Sequence, residues 1–356
     1  PAGEAPGGIM TARRRAKAPS QADVARLAGV SQSAVSRVIS GNAATARIPE
    51  ETRQRVFEAV RELGYVANPA ARAMRKQRNN LLGVHTFERV FPRAHEDFYF
   101  EFLLGIEERA EETGFDLVLF TSTGSGTDGE RQIYKDGTNR LNLADGSILF
   151  GVAADRGELA RLWYEGYPFV HIGRRDVPGA QIPQIVPDYR SASGQIVERL
   201  VRHGHRRLGY IREWLQMEPY DDRRLGYAEA VERLGLTDAS PGFHGAVDID
   251  GPWLDEVARG AVTAIVVESV RLAESLREQL ATRGRKIPDD VSVAVLEAAP
   301  VDLSGQWDSL VIPRVEIGRL AVDRLEAMLG DPDLRTGSLL VPCPLIPGTT
   351  VADARA

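Results

Sequence analysis

The sequence predicts an α/β protein with a small all-α head, in which a helix-turn-helix unit and a hinge helix precede a two-lobed core of doubly wound parallel sheets. Three observations carry that expectation. Residues 20–64 read as three short helices with β-branched runs nearly absent. From Leu81 onward, short apolar runs alternate with amphipathic stretches, the texture of strand–helix layers. Charge is also divided: residues 1–78 carry 14 Lys+Arg against 6 Asp+Glu and the remainder 30 against 44, so a head of +8 precedes a body of −14. A basic head on an acidic body implies that one end meets a polyanion and the other does not.

Composition excludes several classes. A chain of 356 residues, 43% hydrophobic and 26% charged, has room for two to three domains and is neither wholly disordered nor collagen-like nor a coiled coil. The single cysteine, Cys343, rules out an internal disulfide. The six histidines show no metal-ligand spacing, and His203 and His205 read as surface residues on a turn. Neither metal nor cofactor is expected. No apolar run approaches the roughly 18–20 residues of a spanning helix. The basic residues at 13–17 are not followed by an apolar segment of signal-peptide type, so a cytoplasmic protein without membrane contact is expected.

Residues 1–19, rich in Pro, Gly, Ala and Arg, read as a disordered tail. Ser20 can cap a first helix with Val24, Ala25 and Leu27 on its apolar side, and Gly29 supplies the turn. Ser31 is placed to cap a second helix with Val35, Val38 and Ile39 inward, while Ala25, Ala28 and Ala34 permit close approach. Such a helix-turn-helix inserts the N-terminal end of its second helix into the DNA major groove. The residues away from the apolar face are Gln32, Ser33, Ser36 and Arg37, and Gln and Arg make bidentate contacts to adenine and guanine edges. A three-helix module for a protein partner is the competing reading; the +8 charge argues against it. Pro49 and the acids after it suit the start of a third helix ending at Gly64. AsnProAlaAlaArgAlaMetArg (68–75) is too short and alanine-rich to stand as an isolated helix.

In the body, runs at 81–85, 116–120, 146–150, 168–172, 208–211, 263–267 and 291–296 read as buried parallel strands. Helical patterns lie between them at 98–112, 189–203, 222–234, 270–282 and 315–329. A ligand then sits at the carboxyl ends of the strands, between the lobes. There is no nucleophile elbow, phosphate-loop lysine or metalloprotease motif, so an enzyme is not expected; the glycine-rich 121–129 stretch reads as a flexible cleft loop.

Residues 20–75 closely resemble the DNA-binding head and hinge of the lactose-repressor (LacI/GalR) family. The strings that carry the resemblance are AspValAlaArgLeuAlaGlyValSer, ValSerArgVal, GluThrArg, GluLeuGlyTyr and AsnProAlaAlaArgAlaMetArg. In the body, HisGlyHisArgArgLeuGlyTyrIle (203–211), AspArgArgLeuGlyTyrAlaGluAla (222–230) and IleProAspAspValSerValAla (287–294) extend it to a periplasmic-binding-protein-like core. The resemblance implies a repressor, acting as a homodimer on a pseudo-palindromic double-stranded operator and controlled by a small-molecule effector, a sugar or sugar derivative. Its domains would be 20–66 (head), 67–79 (hinge and linker) and 80–356 (core). The lobes would run 80–186 with 312–336, and 187–311 with 337–356.

For DNA it implies Gln32, Ser33, Ser36 and Arg37, supported by Ser20 and Ser31. A hinge helix carrying Asn68, Ala71, Arg72 and Met74 would enter the minor groove, with Met74 as the apolar wedge where the family usually has leucine. For the effector it implies Arg223, with Arg224 the competing register, and Glu297. Phe98 and Tyr99 either stack on a sugar or pack inside the lobe, and Arg174 and Ser269 are further candidates. Where many members carry an AsnAsp pair, this chain has Ser269 and Val270 beside Glu268, which removes hydrogen-bonding groups that suit a common sugar. A cytoplasmic solute receptor with no transcriptional role is the alternative.

Overall fold

The computed structural model describes residues 19–40, 48–65, 79–87, 99–121, 131–151, 154–213, 217–241, 251–297 and 306–355. Two compact units divide the chain, Pro1–Asn79 and Asn80–Ala356.

In the first unit, α1 (Gln21–Ala28), α2 (Gln32–Ser40) and α3 (Glu50–Leu63) enclose a small core in which Val24, Val35 and Val56 are fully buried. A reciprocal capping box starts α1: the Asp23 N–H donates to Ser20 Oγ, and the Ser20 N–H donates back to the Asp23 carboxylate. Gly29 ends it with φ 65°, the left-handed conformation that glycine adopts without strain. The expected hinge residues Asn68, Ala71, Arg72 and Met74 lie outside the described residues.

The second unit opens with β1 (Leu81–Thr86), α4 (Phe100–Thr113), β2 (Asp116–Phe120), a small hairpin of β3 (Tyr134–Lys135) and β4 (Thr138–Asn139), β5 (Gly146–Phe150), α5 (Arg156–Tyr164), β6 (Phe169–Ile172) and β7 (Gln184–Pro187). It continues with α6 (Tyr189–Arg202), β8 (Arg207–Ile211), α7 (Glu218–Arg233), β9 (Thr237–Asp238), α8 (Gly251–Ala258), β10 (Ala264–Val267), α9 (Val270–Thr282), β11 (Ser292–Val295) and β12 (Asp308–Leu310). Last come α10 (Arg314–Gly330), β13 (Ser338–Val341) and β14 (Leu345–Ile346).

One sheet has the order β13-β7-β6-β5-β1-β2 and is parallel throughout; the other has the order β14-β12-β11-β10-β8-β9, with only β14 antiparallel. The seven strand runs read from apolar composition all form strands. The chain passes between lobes three times, after Pro187, between Leu310 and Arg314, and between Val341 and Leu345. One division expected from sequence is corrected: Ser338–Val341 pairs with Gln184–Pro187 in the first sheet, so that stretch does not belong to the second lobe. A second correction concerns His205. It is 2% exposed, with Nε2–H donating to the Ala352 carbonyl and Nδ1 against Thr263 Oγ1, so the C-terminal strap covers it.

Each lobe is locked by a helix pair that meets backbone to backbone. A Cβ at Gly105 of α4 would lie 2.0 Å from the Val315 carbonyl of α10, and one at Gly226 of α7 would lie 2.0 Å from the Arg190 carbonyl of α6. The strap closes the second lobe: the fully buried Asp308 carboxylate accepts the Thr350 and Val351 N–H groups and Arg199 Nε.

Two histidines stand in one row of the first sheet, where His85 of β1 aligns with Leu149 and Leu149 with His171 of β6. Both are buried; neither ring nitrogen of His85 meets a partner among the described residues, and His171 Nδ1–H donates to the Gly173 carbonyl. Burial holds both neutral, lowering His85 from 6.5 to about 4 and His171 to about 3.

Two outcomes follow from this packing. Gly226→Ala should lower unfolding free energy by about 1–3 kcal/mol in urea titrations, because α6 must be pushed off α7. Gly330→Ala, where a Cβ meets nothing within 4 Å, should be neutral or stabilising. The histidines' folded values lie below their unfolded ones, so the unfolded chain binds the extra protons and stability is lost as pH falls from about 6.5 toward 4. The slope should approach about 1.4 kcal/mol per pH unit for each histidine, and His85→Leu should remove about one proton's share of it.

Candidate functional site

Two sites emerge, one on each unit. On α2, Val35 and Val38 face the head core while Gln32, Ser33 and Arg37 are exposed and Ser36 is half-buried. Arg37 Nε donates to the Ser33 carbonyl at 3.2 Å, which lays the side chain back along the helix's outer face. Ser31 Oγ accepts the Ala34 N–H at 3.2 Å and lies 2.9 Å from Ser33 Oγ. Ser20 and Ser31 therefore serve first as caps, leaving Gln32, Ser33 and Arg37 as a polar surface raised above a packed apolar face.

The second site is a cavity of about 310 Å³ between the lobes, at the carboxyl ends of the strands. From the first lobe come Tyr99, Phe102, Phe150, Ile172, Arg174 and Arg175; the crossing strand gives Val186 and Pro187. The second lobe contributes Tyr189, Met217, Tyr220, Asp222, Arg223 and Glu297. The walls are thus mostly apolar and aromatic, with few polar groups, the usual make-up of a small-molecule site.

Arg223 is the central polar group. It is 6% exposed, and its guanidinium carbon sits 4.3 Å from the Tyr189 ring centroid and 5.4 Å from that of Tyr220. Arg224 is exposed, so Arg223 holds the inward register. Glu297 lines the same cavity, and its Oε2 accepts the Val270 N–H at the start of α9. Arg174 also lines it, but its Nε is bound to Asp222 Oδ2 at 2.9 Å. Ser269, expected among the effector contacts, is not in the lining. Its Oγ caps α9 through the Leu272 N–H and donates to Glu213, so helix geometry takes the hydroxyl. Phe98 lies outside the described residues; its neighbour Tyr99 lines the cavity, with its ring tilted on Phe150 at 5.5 Å.

Sequence reasoning missed Tyr189, Tyr220 and Arg175. Tyr189 opens the helix entered straight after the first lobe crossing, which is the signal that could have marked it. Behind the floor, Glu268 is 1% exposed and accepts both the Tyr210 hydroxyl at 2.6 Å and the Glu213 N–H; burial pushes its carboxyl up to about 7.

At one rim the lobes are tied by charge. Glu218, the first residue of α7, is ion-paired with Arg156 and lies 3.6 Å from Arg175 Nη1, both from the first lobe, and it accepts the Asp176 N–H. Arg174 joins the same helix at Asp222 and at the Glu218 carbonyl. Burial would raise the Glu218 carboxyl, but its own backbone N–H, the Arg175 and Arg156 guanidiniums and the Asp176 N–H together hold it below its usual range.

Known proteins match along the length of the chain. Residues 22–68 match "Bacterial regulatory proteins, lacI family", 85–242 "Periplasmic binding proteins and sugar binding domain of LacI family", and 197–351 "Periplasmic binding protein-like domain". HTH-type transcriptional regulator CelR of Thermobifida fusca is 30% identical over 335 residues, covering 91% of this chain and 96% of that protein. Catabolite control protein A of Priestia megaterium is 25% identical over 311 residues, 84% and 89% of the two. Among solved structures, the lac repressor dimer bound to operator and an anti-inducer matches with TM-score 0.68 at 21% identity, over 94% of this chain and 100% of that one. A CelR–cellobiose complex matches at TM-score 0.55 and 24% identity, over 93% and 99%.

The rim ion pairs give a direct test. Glu218→Gln should cost on the order of 2–3 kcal/mol by urea unfolding, because the variant removes the almost buried carboxylate that faces Arg156 and Arg175 across the cleft. Small-angle scattering should also report a larger radius of gyration, and an unchanged urea midpoint would show that the rim pairs do not hold the lobes.

Proposed function

The chain belongs to the LacI family of bacterial regulatory proteins and is a DNA-binding transcriptional regulator, and from that premise we propose how its own residues do the work. In this reading it is a cytoplasmic repressor that binds a pseudo-palindromic operator as a homodimer. Gln32, Ser33 and Arg37 read base edges in the major groove, with Ser36 and the capped helix ends beside them. A small molecule bound between the lobes controls operator affinity and leaves unchanged; Arg223 and Glu297 are its polar anchors and Tyr99, Tyr189 and Tyr220 its aromatic walls. The effector shifts the equilibrium only by its differential affinity for two lobe arrangements. The cellobiose complex of CelR supports a sugar or sugar derivative as the ligand class.

The observation that carries the DNA reading is the exposure of Gln32, Ser33 and Arg37 on a helix whose opposite face is consumed by the head core. A solute receptor without a transcriptional role has no use for that surface. Selection from random duplexes should enrich a palindrome. On it, Arg37→Ala should lose about 1–3 kcal/mol of specific affinity in gel shifts, with an unchanged circular dichroism spectrum. Equal binding by the variant would remove Arg37 from base recognition.

A further inference from the structure

The first lobe holds another cavity, at the end of its sheet opposite the cleft. It measures about 180 Å³, and its walls include Trp163 of α5, Met328 of α10, Tyr167, Phe169, Pro183 and Arg335. Phe169 opens β6 and Pro183 immediately precedes β7, so these are the amino ends of strands whose carboxyl ends reach the cleft. Asn80, the first residue of the second unit, is held at the same end, its N–H donating to Asp145 Oδ2 at 2.7 Å.

The lining is apolar and aromatic around a single charge. Phe169 and Met328 are 1% exposed, and the Tyr167 hydroxyl is already bonded to Ser147 Oγ and the Leu141 carbonyl. No carboxylate lines the cavity, and among the described residues none comes within 4 Å of the Arg335 guanidinium. Arg335 Nη1 donates to the Gly166 carbonyl at 2.6 Å, which ties the guanidinium to the turn before β6. Its Nε is shielded from solvent and meets no acceptor among the described residues. The edge formed by Nε and Nη2 is the one that Arg190 gives to both oxygens of Glu229 elsewhere in the chain. On Arg335 that edge has no acceptor among the described residues.

We propose that this cavity is a second small-molecule site, separate from the cleft, and that its ligand is a monocyclic aromatic carboxylate. An apolar cavity of about 150 Å³ accepts benzene, so this one has room for a single ring and its substituent. The rings of Trp163, Tyr167 and Phe169 and the Met328 sulfur favour an aromatic ring over an aliphatic one of the same size. The carboxylate supplies what the wall lacks. A turn about the terminal bonds of Arg335 sets Nε and Nη2 against its two oxygens, a charge-assisted pair that also satisfies the enclosed Nε–H. A sugar does not suit this lining, because most of its hydroxyls would face ring carbons and methylenes without partners.

The test titrates the full chain calorimetrically with benzoate, benzyl alcohol and cyclohexanecarboxylate. Benzoate should bind one molecule per chain, about ten-fold or more tighter than either of the others. Arg335→Gln should bring benzoate down to the level of benzyl alcohol and leave benzyl alcohol unchanged. Arg335→Lys, which keeps the charge but not the planar fork, should restore only part of the difference. Photolabelling of the unaltered chain with 4-azidobenzoate locates the ligand without any substitution, and the label should fall within 163–169 or 328–336. No saturation by benzoate up to about 10 mM would overturn the proposal, as would equal binding of either control compound or a label confined to segments that line the cleft.

Discussion

The ion pairs at the first turn of α7 decide what the cleft is. Glu218 is almost buried between Arg156 and Arg175 of the opposite lobe, and Asp222, one turn further, is held by Arg174. Pairs of this kind return little net stability, because the attraction is largely offset by the desolvation of each ion. Their effect is registration: they place the start of α7, the helix that carries Arg223, against the loop after β6. The same set of charges lies along the cleft, because Arg174, Arg175 and Asp222 also line the cavity between the lobes.

What surrounds that seam is rigid. In each lobe a glycine lets two helices touch backbone to backbone, at Gly105 in the first and Gly226 in the second, and such contacts leave no room for sliding. The buried Asp308 carboxylate fastens the C-terminal strap across the second sheet, so the strand ends that carry Glu268 and Glu297 rest on a fixed base.

The fold was legible where burial and composition agree. Runs such as ThrAlaIleValVal and ValSerValAlaValLeu have no stable alternative to a strand covered on both faces, and the capped helices of the head announce themselves through Ser20, Gly29 and Ser31. Strands β7 and β12 escaped notice because buried polar residues interrupt them. Gln184 is tolerated because its side-chain amide pairs with both backbone groups of Arg175, and Asp308 because the strap supplies its donors; neither partner is near in sequence. The site shows the same division. Arg223 falls in a string that resembles the family and Glu297 follows another, whereas the aromatic stack on Arg223 arises only when α6 and α7 pack together, and the Arg174–Asp222 pair only once two lobes meet. Ser269 could not be told from a ligand contact by its place after a strand, because a helix cap occupies the same place.

The three chain crossings between the lobes have a mechanical consequence. Three covalent strips running side by side resist twist and lateral shear far better than they resist flexing, as a strap does. The crossings are bonded to one another, the Asp188 N–H to the Val341 carbonyl and the Val311 N–H to the Pro344 carbonyl, so any relative motion of the lobes has to flex all three together. A ligand seated in the cleft needs no elaborate relay to act at a distance, because the leverage is supplied by where the polypeptide passes from one half to the other.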